Sequence, residues 1–245
     1  MSEDNSVRLS KRMTELGLCS RREADEFIEQ GLVKVDGVVV NVLGSRVRPE
    51  QQIELTAAAA REQAERVTLL LHKPLGFVSG PAERPGEQPA WLLVKPDTRS
   101  AGDRSGVVFL KKHQQKLAPA GRLDVDASGL LVLTQDGRIA RKLMAGEVEQ
   151  EYLVWLAAPA SAEQLAALGK GVQVDDETLS AVRVSRQSDR QLCFVLRQQQ
   201  RRHIQRMCAA VGVQIERLHR IRIGRVRLGE LAQGQWRYLL ENEKF

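Results

Sequence analysis

The amino-acid sequence predicts an α+β fold, in which a small N-terminal α/β unit precedes a larger region built on a mostly antiparallel mixed sheet. Helical apolar spacings and a hairpin signal follow one another within the first 55 residues. Beyond residue 66, short apolar runs typical of strands recur along the chain, and only three helix patterns separate them. Hydrophobic residues make up 42% of the 245 residues, which is enough for a packed core.

Residues 1–55 show element signals in the order helix, helix, hairpin. Apolar residues at helical spacing fall within Arg8–Leu16, and Gly17 is placed to end that helix. Ser20 and Glu23 form a capping box that begins a second helix. The sequence VKVDGVVV then predicts two short strands around an Asp-Gly turn.

Residues 56–66 read TAAAAREQAER, a charged, alanine-rich segment without an apolar stripe, and we interpret it as a linker with helical potential. The second region, 67–245, begins with the strand VTLLLH and the turn sequence KPLGFVSG. The segment Pro81–Ala120 is rich in proline, glycine and charge. The sequence assigns no elements with any certainty to that segment.

The remainder of the second region alternates strands and helices. The buried-strand run LLVLT is followed by the helix RIARKLMA, the strand QEYLVWL and a helix that begins after the N-cap Ser161. Further strands are expected near Val172–Val174, Ala181–Val184 and Leu192–Leu196. A helix near Arg201–Ala210 carries an apolar stripe, and the C-terminal RIRIGRVRLGELAQGQWRYL is expected to form two strands.

The distribution of charge points to a polyanionic partner. Net charge is +6, and the segment Arg201–Glu230, with eight arginines and two glutamates, accounts for all of this excess. Because arginine suits bidentate contacts to phosphate, nucleic acid is the first interpretation and a solvated basic face is the alternative. Arg21 and Arg22 also lie in the first turn of a predicted helix, where acidic residues are favoured. A departure of this kind from the charge preference of a helix N-terminus is typical of a functional face. The alternative explanation is a surface helix whose ends are not optimised for stability.

Composition also limits the class of protein. No apolar run approaches the roughly 20 residues that span a bilayer, and the N-terminal MSEDNSVRLSK lacks the apolar segment of a signal peptide. Three distant cysteines make neither a zinc cluster nor a disulfide framework, and they favour a reducing compartment. We therefore expect a cytoplasmic protein without a membrane partner, and we expect it to act as a monomer.

The sequence GRLDVDASGLLVLTQDG concentrates the candidate chemistry. Asp124, Asp126, Ser128 and Gly129 occupy the first, third, fifth and sixth places of a calcium-binding loop. Gln135 replaces the glutamate required at the twelfth place, and leucines replace later oxygen ligands, so calcium is disfavoured. A pair of glycosidase carboxylates, about 7 Å apart on one strand face, is a second alternative, but few aromatic residues accompany it. The third interpretation is a single activated aspartate in a basic cleft that faces RNA.

The N-terminal unit resembles the S4 RNA-binding domain. The residues that carry the likeness are VRLSKRMTELGLCSRREADEFIEQGLVKVDG, and the match extends from Val7 to about Arg48. The resemblance implies two helices followed by a small sheet that docks on structured RNA. The basic residues expected to contact RNA in this unit are Arg8, Lys11, Arg12, Arg21, Arg22 and Lys34.

The rest of the chain resembles the pseudouridine synthases. GRLDVDASGLLVLTQDG is similar to their catalytic motif, and the segments KPLG, EYLV, RRHIQRM and LHRIRIGRVRLGELAQGQWRYL are similar to four further motifs. With the S4-like unit in front, the chain is most similar to the subfamily that contains RsuA, RluB, RluE and RluF, and to RluF in particular. The resemblance implies an enzyme that converts a uridine of rRNA to pseudouridine without a metal or cofactor.

The resemblance also implies roles for individual residues. The target nucleotide is flipped out of its helix, Asp124 acts as nucleophile or base, Tyr152 stacks on the uracil, and Arg122 enters the space that the base leaves. The alternatives are that Arg122 contacts only phosphate and that Tyr152 only packs. Further RNA contacts are expected from Lys73, Arg202, Arg206 and Arg220. The implied target is a stem-loop of 23S rRNA, and 16S rRNA is the alternative.

The motif helix departs from the family pattern. The family sequence Q-I-R, whose arginine pairs with the catalytic aspartate, is replaced by His203, Ile204 and Gln205. Three more residues differ from those usual in the family: Gln199, Gln150 and Ala127. The competing hypothesis is therefore a catalytically impaired paralogue that binds rRNA during ribosome assembly.

Overall fold

The computed structural model describes residues 5–174, 177–197 and 200–245. These residues form an N-terminal unit with its own apolar core and a larger region built on one long sheet. None of the helices in the described ranges is long and apolar enough to cross a membrane. The predicted α+β class, with a mostly antiparallel mixed sheet, is confirmed.

The N-terminal unit contains the two helices and the hairpin in the predicted order. Its elements are β1 (Val7–Arg8), α1 (Leu9–Glu15), α2 (Arg21–Glu29), β2 (Val33–Val35), β3 (Val38–Val40), β4 (Arg46–Val47) and β5 (Ile53–Leu55). The Ser20 side chain accepts from Glu23 N and the Glu23 carboxylate accepts from Ser20 N, so the predicted capping box begins α2. Strands β3, β2 and β5 form an antiparallel sheet, and both residues of the Asp36-Gly37 turn have left-handed backbone.

The predicted linker forms helix α3 (Ala57–Ala64), which packs on the N-terminal unit. Ala59 is fully buried in the core of that unit, and Gln63 donates a hydrogen bond of 2.6 Å to the Leu18 carbonyl. The helical potential of the linker is therefore realised, and the helix also has a buried face. No hydrophobic period marks this face, because its buried residues are an alanine and the polar residue Gln63.

The second region is organised around a nine-stranded sheet. The strands of the region are β6 (Thr68–Lys73), β7 (Phe77–Val78), β8 (Gln88–Pro89), β9 (Ala118–Pro119), β10 (Ser128–Thr134), β11 (Gln150–Leu156), β12 (Val172–Val174), β13 (Glu177–Leu179), β14 (Arg183–Ser188), β15 (Gln191–Leu196), β16 (Ile215–Ile223), β17 (Val226–Arg227) and β18 (Trp236–Tyr238). Its helices are α4 (Gly137–Met144), α5 (Ala162–Lys170) and α6 (His203–Ala210). The order in the sheet is β14–β15–β11–β16–β10–β6–β18, with β17 beside β16 and β9 beside β10.

Some local predictions differ from the structure. The strand expected at Ala181–Val184 forms as β14, which starts two residues later, and β13 was not expected. Because β14 is an outermost strand with mainly exposed polar side chains, hydrophobic alternation does not mark it. The C-terminal segment forms the three strands β16, β17 and β18 instead of two. The unassigned segment 81–120 contains β8, β9 and 3₁₀ turns at Ala90–Leu93, Pro96–Thr98 and Lys111–Gln114.

One parallel pairing places the candidate site. Among the described strands of the large sheet, every pairing is antiparallel except that of β10 with β16, where Ser128 lies opposite His219 and Gly129 opposite Arg220. Gly129 has φ +115°, and a Cβ atom on it would lie 2.2 Å from the Arg220 carbonyl oxygen. Only glycine therefore allows the two strands to approach here.

Gly129→Ala is expected to destabilise the fold by about 3 kcal/mol or more, because backbone strain and a clash with main-chain atoms add together. Urea denaturation followed by circular dichroism measures the free energy of unfolding. Gly80→Ala is the matched control, since a Cβ atom at Gly80 meets nothing within 4 Å. An effect of Gly129→Ala no larger than that of the control would contradict the close approach.

Candidate active site

The candidate site is the loop between β9 and β10. Ala127 N donates to the Asp124 carbonyl at 3.0 Å, which closes a turn that contains Asp126. The fully buried strand β10 begins at the next residue, Ser128. The two aspartates thus lie on a turn and not on a strand, so the one-face arrangement considered for a glycosidase pair is wrong. Asp124 is half-buried, whereas Asp126 and Arg122 are exposed.

The turn sequence after β6 holds this loop from one side. Gly76 N donates to the Val125 carbonyl at 2.9 Å. Ser79 Oγ donates to the Leu123 carbonyl at 2.7 Å and accepts from Leu123 N at 2.9 Å, and both residues are buried. The sequence interpretation missed Ser79, because a lone serine in a turn carries no distinctive pattern.

Arg220 supports the loop from the sheet. Its side chain is 1% exposed, its Nε donates to the Leu130 carbonyl at 2.7 Å, and its Nη1 donates to the Arg122 carbonyl at 2.8 Å. Nη1 also lies 2.9 Å from Gln150 Oε1 and 3.2 Å from Tyr152 Oη. Nη2 is buried and has no hydrogen-bond partner among the described residues. One guanidinium thus connects the loop to strands β10 and β11.

Tyr152 is fully buried on β11. Its hydroxyl donates to Gln150 Oε1 at 3.0 Å, and the Arg220 guanidinium carbon lies 5.8 Å from its ring centroid. Gln150 stands where the family usually has lysine. Its Oε1 accepts hydrogen bonds from both Tyr152 and Arg220. A lysine at this place would set a second positive charge beside Arg220. Since the ring is covered, stacking of Tyr152 on a uracil requires movement of the residues around it.

Lys73 is a second buried cation. Its ammonium donates to the Pro74 carbonyl at 2.8 Å and to the Phe77 carbonyl at 2.9 Å, and its side chain is 0% exposed. Burial, together with nearby Arg220, lowers the pKa of Lys73 to about 8, although the two aspartates of the loop act in the opposite direction. The protein covers the side chains of Lys73 and Arg220, and its own carbonyl groups bind them, so RNA contact by either residue stays a prediction.

The motif helix α6 meets the loop at its N-terminus. Arg202, its N-cap residue, has left-handed backbone with φ +52°. The Arg202 N–H donates to Asp124 Oδ2 at 3.2 Å, and its Nη2 donates to Asp126 Oδ2 at 2.6 Å. Gln205 Nε2 donates to Asp126 Oδ1 at 3.3 Å. From this helix, therefore, Asp124 receives a main-chain N–H, and the two side chains hold Asp126.

Arg206, one turn further along α6, has a different partner. Its Nη2 lies 2.7 Å from Glu177 Oε2, so the shared helix face of Arg202 and Arg206 does not bring both guanidinium groups to the loop. His203 is buried, and burial together with the charge of Arg206 lowers its pKa. The departure from the family pattern at Gln199 lies outside the described residues.

Ser128 belongs to the strand pairing, although its place in the sequence matches a calcium ligand. Its Oγ lies 2.8 Å from His219 Nδ1, and the His219 ring centroid lies 5.2 Å from that of His72. Burial lowers the pKa of His219 to about 4, so the imidazole is neutral at physiological pH. Within the described ranges, no group of three or more His, Cys, Asp or Glu side chains is arranged to hold a metal ion.

The basic residues predicted to bind RNA in the N-terminal unit lie mainly on its surface. The exposed ones are Arg8, Lys11, Arg21 and Arg22, and the partly covered ones are Arg12 and Lys34. Lys11 and Arg12 lie 3.8 and 3.4 Å from Glu15, and Arg22 lies 3.4 Å from Glu26. Exposed pairs of this kind contribute little to stability, so these cations stay available to phosphate.

Comparison with protein families agrees with the division of the chain into an N-terminal unit and a larger second region. The S4 domain matches residues 7–53, and the RNA pseudouridylate synthase family matches residues 67–223, which is more than half of the chain. The chain belongs to the RNA pseudouridylate synthase family. It is a pseudouridine synthase that carries an S4 domain in front of the synthase segment, so the resemblance in the sequence is confirmed.

Individual relatives cover nearly the whole chain. The chain is 33% identical to the dual-specificity RNA pseudouridine synthase RluF of Escherichia coli O6:H1, over 99% of its own length and 79% of that protein. It is 32% identical to the ribosomal large subunit pseudouridine synthase B of Bacillus subtilis, over 96% of this chain and 93% of the relative. A crystal structure of a pseudouridylate synthase is similar with a TM-score of 0.64 at 27% identity, covering 96% of each chain.

Burial of Lys73 predicts a pH-dependent contribution to stability. Between about pH 8, its pKa in the fold, and its ordinary pKa of 10.5, the unfolded chain binds more protons than the folded one, so stability rises with pH. Relative to Lys73→Met, the free energy of unfolding of the wild type is expected to rise in this window by up to about 1.4 kcal/mol per pH unit. Urea denaturation in half-unit steps of pH measures the difference. A difference that stays constant from pH 7 to pH 10 would show that the lysine pKa is not depressed.

Proposed function

We propose that this pseudouridine synthase modifies a uridine of ribosomal RNA, in a stem-loop of the 23S rRNA, with Asp124 as the catalytic residue. The observation that carries the proposal is the environment of Asp124. Its carboxylate is half-buried on a loop that Arg220 and Ser79 fix from two sides, and the Arg202 N–H orients it. The large-subunit target rests on the Bacillus subtilis relative, whose name assigns it to the large ribosomal subunit.

The reaction is an isomerisation, so every atom of the nucleotide is retained. The bond between C1′ and N1 of the uridine breaks, the uracil turns, and C5 bonds to C1′ while the proton leaves C5 for N1 through solvent or the enzyme. Asp124 acts as the nucleophile or the base in this exchange. The target nucleotide must first leave its stack. We assign entry into the gap to Arg122, which is exposed and precedes Asp124 by two residues.

Two buried cations support the chemistry indirectly. Lys73 and Arg220 lie under the loop, where few water molecules screen their charge. As the C1′–N1 bond breaks, negative charge builds up on the uracil, and fixed positive groups stabilise it without reorganisation. The buried Nη2 of Arg220, which lacks a partner among the described residues, is a free donor in this region. The role of both residues is therefore to position and to stabilise, not to bind phosphate at the surface.

The RNA is held by two groups of cations. The first group belongs to the N-terminal unit, which we extend through α3, so that RNA binding is assigned to residues 1–66 and catalysis to 67–245. The second group is Arg202 and Arg206 on α6. The Arg202 side chain remains 58% exposed although it pairs with Asp126, so phosphate can compete for it.

Comparison of Asp124→Asn with Asp126→Asn tests the assignment. Asp124→Asn is expected to lower the rate of pseudouridine formation by about 10³-fold or more, because it removes the reacting carboxylate. Asp126→Asn is expected to lower it by about 10-fold at most, since it weakens only an exposed ion pair. Pseudouridine mapping on purified 23S and 16S rRNA fragments after single-turnover incubation measures both.

Three results would change this view. Equal losses in the two variants would overturn the assignment of Asp124. Modification confined to 16S rRNA would overturn the target. Tight binding of rRNA without any product would favour the impaired paralogue that binds rRNA during ribosome assembly. That second candidate is kept because no guanidinium of α6 pairs with Asp124 and Gln205 binds Asp126 instead.

The double variant Arg21→Gln/Arg22→Gln tests the N-terminal cations. Each lost phosphate contact is expected to reduce the slope of log affinity against log salt by about 0.7 to 0.9, so two should reduce it by roughly 1.5. Filter binding of a 23S rRNA fragment between 50 and 300 mM KCl gives the slope. Lys170→Gln/Arg190→Gln, which removes two exposed charges from the second region, is the matched control. A slope equal to that of the control would remove Arg21 and Arg22 from the RNA interface.

A further inference from the structure

The N-terminal unit and the second region meet where two helices begin. Ser20 and Glu23, at the start of α2, lie against Gly137, the first residue of α4. The Glu23 carboxylate is buried, and it accepts from Ser20 N at 2.6 Å and from Gly137 N at 3.0 Å. Arg66, which follows α3, also donates to it. We call these four residues the interdomain joint.

Charge and close fit make this contact specific. The carboxylate lies at the positive ends of two helix dipoles, so it satisfies main-chain donors of both α2 and α4 with charge-assisted hydrogen bonds. A Cβ atom on Gly137 would lie 2.3 Å from Ser20 Oγ and 2.4 Å from Ser20 Cβ. Gly137 does not have left-handed backbone, so its helix would accept alanine. The requirement for glycine at this position therefore comes only from the contact with the N-terminal unit, not from the helix itself.

Further contacts flank the interdomain joint. Arg141, one turn along α4, donates to the Thr14 carbonyl of α1. Lys116, which precedes β9, lies 3.0 Å from Glu26 of α2. Both contacts join the same two parts of the chain, so the interface involves α1 and α2 and is not a single point.

Strand β10 connects the interdomain joint to the catalytic loop. It begins after the Asp124–Ala127 turn and ends three residues before Gly137, and every one of its seven residues is buried. A strand of this length spans roughly 20 Å. From Gly129 to Thr134 it pairs with β6, which restrains its movement within the sheet. The carboxylate of Asp124 and the contact with the N-terminal unit thus lie at opposite ends of one buried strand.

We propose that the interdomain joint holds the RNA-binding unit at a set distance from Asp124, so that RNA bound by the N-terminal cations presents its target nucleotide to the catalytic loop. Gly137 and Glu23 are positioning residues in this arrangement, since they touch no reacting group. The inference rests on the proposed function, because the distance matters only if both ends bind one RNA.

The arrangement of the two parts is measured first, without RNA. Spin labels on Glu29→Cys of α2 and Lys170→Cys of α5, both exposed positions, report the distance between the parts by pulsed electron resonance. The three native cysteines are buried and stay unlabelled in the folded protein. A narrow distance distribution is expected for the otherwise unchanged protein and a broad one for Gly137→Ala. Gly169→Ala in α5, where a Cβ atom meets nothing within 4 Å, is expected to leave it narrow.

Removal of the Ser20 side chain tests whether the clash with alanine at 137 causes the broad distance distribution. Ser20→Gly deletes the two nearest atoms that an alanine at 137 would meet, and glycine is an acceptable N-cap. The third atom, Glu23 Oε2 at 2.6 Å, is the end of a side chain, which shifts to make room once Ser20 has lost its side chain. The double variant Ser20→Gly/Gly137→Ala is therefore expected to recover the narrow distribution. A distribution as narrow in Gly137→Ala as in Gly169→Ala, or no recovery in the double variant, would overturn the interdomain joint.

The catalytic consequence is measured with two RNA substrates. For a long rRNA fragment that reaches the N-terminal cations, Gly137→Ala is expected to raise KM by about 10-fold, because the two contacts no longer act at a set separation. For a short hairpin that only the second region can hold, KM and kcat are expected to stay within about twofold. Equal effects on both substrates would reject the positioning role. Absence of product with every RNA, also in the wild type, would reject the proposed function, while the spin-label distances would still decide the interdomain joint.

Discussion

The buried guanidinium of Arg220 holds the candidate active site together. It connects the carbonyl group of Arg122 on the loop to the main chain of β10 and to the side chains of β11. It can occupy this position because Gly129, without a Cβ atom, allows β16 to approach β10 in the single parallel pairing described in the sheet. The loop that carries Asp124 therefore depends on a glycine five residues later and on an arginine 96 positions later.

The electrostatics of the site depend on depth. Lys73 and Arg220 are covered and bind carbonyl groups, whereas Arg122 and Arg202 remain accessible near the aspartates. A covered charge contributes a strong and permanent field, while an exposed charge is screened and free to exchange partners. The structure thus separates two sets of cations that composition alone does not distinguish. In the proposed function, the covered cations stabilise the reacting uracil and the exposed cations bind the RNA.

Local signals in the sequence predicted local structure well. The capping box at Ser20, the N-cap at Ser161 and the buried strand LLVLT all form as expected, because each depends on neighbours within a few residues. The burial of Lys73 and Arg220 could not be predicted, since a cation indicates a surface until its carbonyl partners are known. Likewise, Gln150 Oε1 accepts from both Tyr152 and Arg220, and Arg220 lies 70 positions further along the chain. No local pattern in the sequence indicates such a contact. The motif was enough to select Asp124 as the candidate catalytic residue, but only the fold shows which residues lie next to it in space.

The separation of paired residues along the chain also imposes an order in time. Ser128 meets His219 across 91 positions, whereas the capping box and hairpin of the N-terminal unit close within a few residues. At a synthesis rate of roughly 5 to 20 residues per second, β16 leaves the ribosome about 5 to 20 seconds after β10. During this interval the N-terminal unit can fold, but the loop that carries Asp124 has no Arg220 to hold it. The RNA-binding S4 domain of a nascent chain can therefore be complete before the part that would modify RNA.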